Sequence, residues 1–314
     1  MSRKYPIYLT VFSLIILILV FLSACEKQDD RIEIRKRDIL KGEPEIIVKL
    51  LDGQERKMGL EEYITGVVAG EMQAGWPENA YAAQAIIART FALKHMSDND
   101  TNIISGSYQF AQEYQPEKIS GEIEKAVKRT RGEVIVYEDE YINAWFHASA
   151  AGQTTSARVG LAYQEEEPPY ITSVKSPDDQ APEDIKNWQA SFTRIEIEET
   201  LKKLGKGVGT LRDIEIDGKD ETGRAIKFKF NGSAGDVTIE AAVFRNELNP
   251  EKLRSTMIKE LEKSEDTYMF SGSGFGHGVG MSQWGAYALA KEGKSPEEII
   301  RHYYRDIEIV KEYD

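Results

Sequence analysis

From Leu60 onward, apolar side chains recur at helical spacing. Ile64, Val67, Val68 and Met72 fall on one face, and the pattern stops at Gly75-Trp76-Pro77. Pro77 suits the first turn of a second helix, striped by Ala83, Ile87, Phe91 and Lys94 and running to about Met96. Glu45 to Leu51 reads as a strand closed by Asp52-Gly53, 97–121 as polar turns with Tyr108, Phe110 and Tyr114, and Glu122 to Thr130 as a short helix. Strand-like runs follow at 133–137 and 141–147, then a loop of small and hydroxyl residues at 148–156 and a Pro- and acid-rich loop at 160–190. Further strands are predicted at 191–197, 211–217, 225–230 and 236–240, helices at 197–204 and 240–247, and a final helix at 282–304. The mixture predicts an α+β fold in one large domain with antiparallel or mixed strands.

Between these elements lies the run Gly272 to Ala286, GSGFGHGVGMSQWGA, with glycine at 272, 274, 276, 278 and 280. Read as a strand, it presents one face without side chains, to which a backbone or a flat ligand can approach closely, and another carrying Ser273, Phe275, His277, Val279 and Met281. A packing device beneath a helix is the alternative. The spacing is not that of a phosphate loop.

Composition narrows the functional class. With 53 acidic against 40 basic residues the net charge is -13, so the phosphate contacts of a nucleic-acid binder are not provided for. At the N-terminus, Arg3 and Lys4 precede an apolar run from Ile7 to Leu22, followed by Leu22-Ser23-Ala24-Cys25, the layout of an export signal. LSAC resembles the lipobox of bacterial lipoproteins, which makes Cys25 the expected lipidation site; an uncleaved membrane anchor is the alternative. Residues 1–25 thus read as a lipoprotein-type signal, 26–44 as a charged tether and 45–314 as the domain, held outside the cytoplasm. Cys25 is the single cysteine, so no disulfide or cysteine-ligated zinc is expected beyond it.

One carboxylate stands out on physical grounds. Glu71 ends the first helix within Gly-Glu-Met-Gln-Ala-Gly-Trp-Pro, where the helix dipole and nearby apolar residues disfavour its charged form and suit it to act as a general acid. A solvated glutamate is the bland reading. Arg89, central in the second helix, either pairs with a carboxylate or snorkels.

The stretches EEYITGVVAGEMQAGWPENAYAAQAIIARTFAL (61–93), WFHASAAGQTTS (145–156), PPYITSVKSPDD (168–179) and SGSGFGHGVGMSQWGAYALAKEG (271–293) together resemble the signature blocks of the stage II sporulation protein D family, which also contains the amidase enhancers. The resemblance covers about 45–314. It implies a lytic transglycosylase that cleaves the MurNAc-GlcNAc bond of peptidoglycan and leaves 1,6-anhydro ends, acting in engulfment beside a cell-wall amidase, with no cofactor. The family's catalytic glutamate corresponds to Glu71 and the arginine of its Ala-Arg-Thr block to Arg89. Gly276, His277, Gly278, Ser282, Gln283 and Trp284 are then expected to line the glycan groove, with His147, Ser149, Thr154 and Thr155 as further candidates. Some relatives hold zinc with cysteines near the histidine of the His-x-Ser block; His147 has none within reach.

A hydrolase would require a second carboxylate. Glu78 and Asp98, the nearest in sequence, are not marked by their contexts, which favours the transglycosylase. The alternatives are a non-catalytic amidase enhancer that binds glycan for a partner enzyme, and a lipoprotein that merely tethers membrane to wall.

Overall fold

The computed structural model describes residues 40–50, 52–106 and 112–314. The export segment, Cys25 and most of the tether lie outside the described residues, as do Tyr108 and Phe110. Among the described residues no helix is long and apolar enough to cross a membrane.

Two hydrophobic cores organise an α+β fold. The first is built on α1 (Leu60–Glu71) and α2 (Glu78–Asn99). On α1, Leu60, Tyr63, Ile64, Val67 and Val68 are buried, the stripe that its spacing predicts. By contrast α2 is buried on all sides from Ala80 to Arg89, with alanines admitting neighbours closely. Around this pair lie α3 (Gly121–Arg129), the sheet β2-β1-β3 (β1 Glu45–Lys49, β2 Glu55–Gly59, β3 Ile103–Ser105) and the sheet β14-β4-β5 (β4 Glu133–Tyr137, β5 Glu140–Tyr141, β14 Glu308–Lys311). The parallel pair β6 (Phe146–His147) and β13 (Met281–Ser282), followed by α8 (Gln283–Lys291) and α9 (Pro296–Tyr303), completes it.

The second core lies within 188–270. There the sheet β11-β12-β7 (β7 Trp188–Thr193, β11 Ile258–Ser264, β12 Thr267–Gly272) and the meander β10-β9-β8 (β8 Leu211–Lys219, β9 Ala225–Gly232, β10 Gly235–Glu240) bury Phe192, Phe228, Phe230, Phe244 and Phe270 with α6 (Arg194–Lys203) and α7 (Ala241–Leu248). Two short turns, α4 (Ala157–Gly160) and α5 (Glu183–Lys186), punctuate the loops between the cores.

Several expectations are corrected. The final helix is two, because Gly293 takes a left-handed φ of 87° and Ser295 with Glu298 forms a capping box that starts α9. The strand expected at 191–197 ends at Thr193, where another capping box, with Glu196, begins α6. Only the ends of 141–147 pair as strand.

The glycine run is not a strand. Gly274, Gly276, Gly278 and Gly280 all have positive φ, so between the end of β12 at Gly272 and the start of β13 at Met281 the backbone swings at every second residue and makes only an isolated bridge, Phe275 to Ser149. Its side-chain-free positions are filled by the protein's own atoms. A Cβ on Gly280 would lie 2.0 Å from the Trp145 carbonyl oxygen, and one on Gly278 would lie 2.6 Å from the Arg224 guanidinium.

Candidate functional site

Glu71 is the last residue of α1 and is partly exposed. Gly66 and Gly70, one turn apart on that helix, admit a returning segment: a Cβ at Gly66 would strike the Tyr114 ring at 2.2 Å, and one at Gly70 the Glu113 carbonyl oxygen at 2.3 Å. This close approach lets the Glu113 backbone N–H donate to Glu71 Oε1 at 2.9 Å. From the other side, Gln283 at the start of α8 donates through Nε2 to Glu71 Oε2 at 3.5 Å. Burial pushes the Glu71 carboxyl up to about 7; the Glu113 N–H opposes that rise, the Glu113 charge adds to it, and the Gln283 bond opposes it. The result is a carboxyl that holds its proton near neutrality, as a general acid must.

Two of the predicted blocks meet beside each other. Residues 145–149 run along 275–284: Ser149 and Phe275 exchange both backbone bonds, the Met281 N–H donates to the Trp145 carbonyl and the Trp284 N–H to that of Ala148. The Trp284 ring packs against Trp76 and Tyr287, centroids 4.7 and 5.4 Å away, and Tyr287 is the most exposed of the three.

Several residues expected to line a groove are buried instead. Ser149, Ser176 and Ser282 all donate to the buried carboxylate of Asp178, at 3.1, 2.7 and 2.9 Å. Thr154 is fully buried and bonds to the 172–174 backbone, while Thr155 donates to Asp220. Arg89 is likewise fully buried: Nε and Nη2 donate to the two oxygens of Glu61 at 2.8 Å, and Nη1 to the Glu133 carbonyl. Burial alone would raise Glu61; Arg89's hydrogen bond and charge outweigh it and hold that carboxyl below its usual range. Of the two readings open for Arg89, the paired one is observed, and it ties α1 to α2.

The two histidine rings both bond to the backbone at Val279. His147 Nδ1 donates to the Val279 carbonyl and His277 Nδ1 accepts the Val279 N–H, each at 3.1 Å. Burial, with the neighbouring Arg224 charge, pushes His147 down to about 3, and burial with His147 and Arg245 nearby holds His277 well below its ordinary value. His147 Nε2 is buried without a partner. Relatives' zinc does not fit here: the buried Arg224 cation stands beside the histidines, and among the described residues no three ligand-type side chains cluster. Within Gly272–Ala286 the partly exposed residues are Ser273, Phe275, Gly276 and His277. Two clefts, one along β7 lined by Trp188 and Arg254 and one lined by Phe91, His95 and Trp145, do not include Glu71.

Sequence reasoning missed three residues. Asp178 sits in the quoted SPDD stretch, where a carboxylate among hydroxyl residues was a usable signal. Arg224, fully buried with bonds to the Gln153 and Ala150 carbonyls, had none in its Thr-Gly-Arg-Ala context. Glu113 reaches Glu71 from 42 residues away.

A model described as stage II sporulation protein matches residues 53–137, and one described as a domain of unknown function matches 163–280. The chain is 32% identical to stage II sporulation protein D of Bacillus subtilis over 268 residues, 80% of this chain and 74% of that protein. It is 32% identical to an uncharacterized protein of Brachyspira hyodysenteriae, covering 81% of this chain and 67% of that one. The amidase enhancer of Bacillus subtilis is 26% identical over 77% of this chain and 39% of its own length.

Proposed function

Since the chain belongs to the stage II sporulation protein D family, we propose that it remodels the cell wall in sporulation by cleaving peptidoglycan glycan strands as a lytic transglycosylase. The observation that carries this reading is Glu71: a carboxyl near the surface, raised to about 7 and touched by Gln283 of the glycine-rich block. Glu71 donates its proton to the glycosidic oxygen as the C1–O bond of the muramic acid breaks. The C6 hydroxyl of the same sugar attacks C1, closes the 1,6-anhydro ring and returns a proton to Glu71. One carboxyl serves as acid and then as base, so no water is consumed. Gln283 fixes the carboxyl, and Gly276, His277 and Tyr287, partly exposed members of the same 271–293 block as Gln283, are the residues proposed for sugar contact.

A second reading, a glycan-binding amidase enhancer, is favoured by similarity to a protein of that name. Digestion separates the two. Residues 26–314 and their Glu71→Gln variant are incubated with peptide-free glycan, and products are read by mass spectrometry. Anhydro ends from the wild type alone are expected; intact strands that remain bound, with stimulation of an added amidase, would transfer the case to the enhancer.

The protein is proposed to act outside the cytoplasm, anchored through lipidated Cys25. Labelled palmitate is expected in the wild type and absent from Cys25→Ala, and equal labelling of both would refute the anchor.

A further inference from the structure

Glu71 has an acidic neighbour that its position in sequence conceals. Glu78 is engaged at the start of α2 with Lys125 and Arg129, at 2.7 and 2.9 Å, and Asp98 with Lys94 at 3.0 Å, so neither is available to Glu71. Glu113 is differently placed. Its backbone N–H holds Glu71 Oε1, its carbonyl and Cγ lie against Gly70 at the end of α1, and its carboxylate is steadied by the Gln115 side-chain amide. It is partly exposed, as Glu71 is. A glutamate carboxylate reaches about 5 Å from its Cα, so this one lies within about 9 Å of Glu71, inside the range over which paired glycosidase carboxylates act.

We propose that Glu113 is a positioning residue of the Glu71 site, its N–H orienting one oxygen of the acid and its carboxylate serving as the charge partner of Glu71. The inference rests on Glu71 being the acid of a glycan-cleaving site. A fixed negative charge beside a carboxyl favours the protonated form, which is the form that donates. It also favours the positive charge that develops at the anomeric carbon when the glycosidic bond breaks. The titratable groups that act on or feel Glu71 are Tyr63 on α1 and Glu113 on the segment that crosses it; Tyr114 lies against Tyr63, Glu117 and Lys118 belong to the next turn packed on α1, and α8 contributes the uncharged Gln283. Among these, Glu113 is the one whose charge raises Glu71.

The test is made on the free protein. Carboxyl carbons of glutamate are labelled with carbon-13, the Glu71 signal is assigned by its absence in Glu71→Gln, and its titration is followed by NMR in the wild type, Glu113→Gln and Glu113→Asp. All three retain the backbone N–H at 113, so orientation by that bond is unchanged and only the charge varies. In Glu113→Gln the Glu71 midpoint is expected to fall by about half a pH unit or more, and in Glu113→Asp to stay near the wild type. The alkaline limb of glycan cleavage should move the same way. An unchanged midpoint in a folded Glu113→Gln protein overturns the proposal, and Glu113→Ala supplies the same reading should glutamine at 113 disturb Gln115. Because the titration needs no substrate, a shifted midpoint in a protein that cuts no glycan supports the charge partnership while overturning the glycan-cleaving reading.

Discussion

Burial of Glu71 lifts its carboxyl to about 7 from an ordinary 4.5, and the difference acts on stability as well as on chemistry. Between those two values the unfolded chain releases a proton that the folded chain keeps. Stability from this group is therefore full below about pH 4.5, falls as pH rises to about 7 and is flat above. Glu71→Gln, which cannot ionise, should match the wild type at pH 4 and exceed it by about 3 kcal/mol at pH 8. Urea denaturation at the two pH values reads this directly, and equal stability at pH 8 would mean that Glu71 ionises freely. The same carboxyl that is proposed to cleave glycan is thus a local weakness of the fold at neutral pH.

At the scale of elements, the glycine run carries the clearest constraint. Gly280 has φ 68°, and a Cβ there would meet both the Trp145 carbonyl and the Tyr304 hydroxyl. Gly280→Ala should cost more than about 3 kcal/mol or abolish folding, measured as soluble yield and thermal midpoint. A folded, stable variant would show that the close crossing of 280 over 145 is dispensable. The α1 and α2 helices were legible because their apolar stripes are long and are separated by a marked Gly-Trp-Pro. The glycine run was misread because a period of two in composition looks like a strand, whereas its backbone turns left-handed at each glycine from 274 to 280. Strands β2 and β11 were invisible for the opposite reason: ERKMG and IKELEKS place mostly charged side chains in water and offer no buried alternation. The break between α8 and α9 was written in Ser295-Pro296-Glu297-Glu298, a capping signature inside an apparently continuous helical pattern.

For the molecule as a whole, Glu71 and the glycine-rich block were legible as candidates, but not what they touch. Ser149, Thr154, Ser282 and Arg89 are the kinds of residue that bind sugars, and the sequence does not distinguish a hydroxyl facing water from one donating to Asp178 beneath the surface. Partnerships such as Glu61 with Arg89, which joins two helices of the first core, or Arg224 with the 150–153 carbonyls, follow from the tertiary packing. They join residues 28 and more than 70 positions apart, beyond the reach of any local pattern.

The contact between Gln283 and Glu71 spans 212 positions. Distant pairings form slowly, since the intervening chain must first be closed into a loop. A chain that emerges amino end first therefore exposes its acid long before the residue that steadies it has appeared, and both cores separate the two in time. The Gln283 bond to Glu71 is absent from any chain that stops before residue 283, so a chain cut short there is expected to lose the proposed activity.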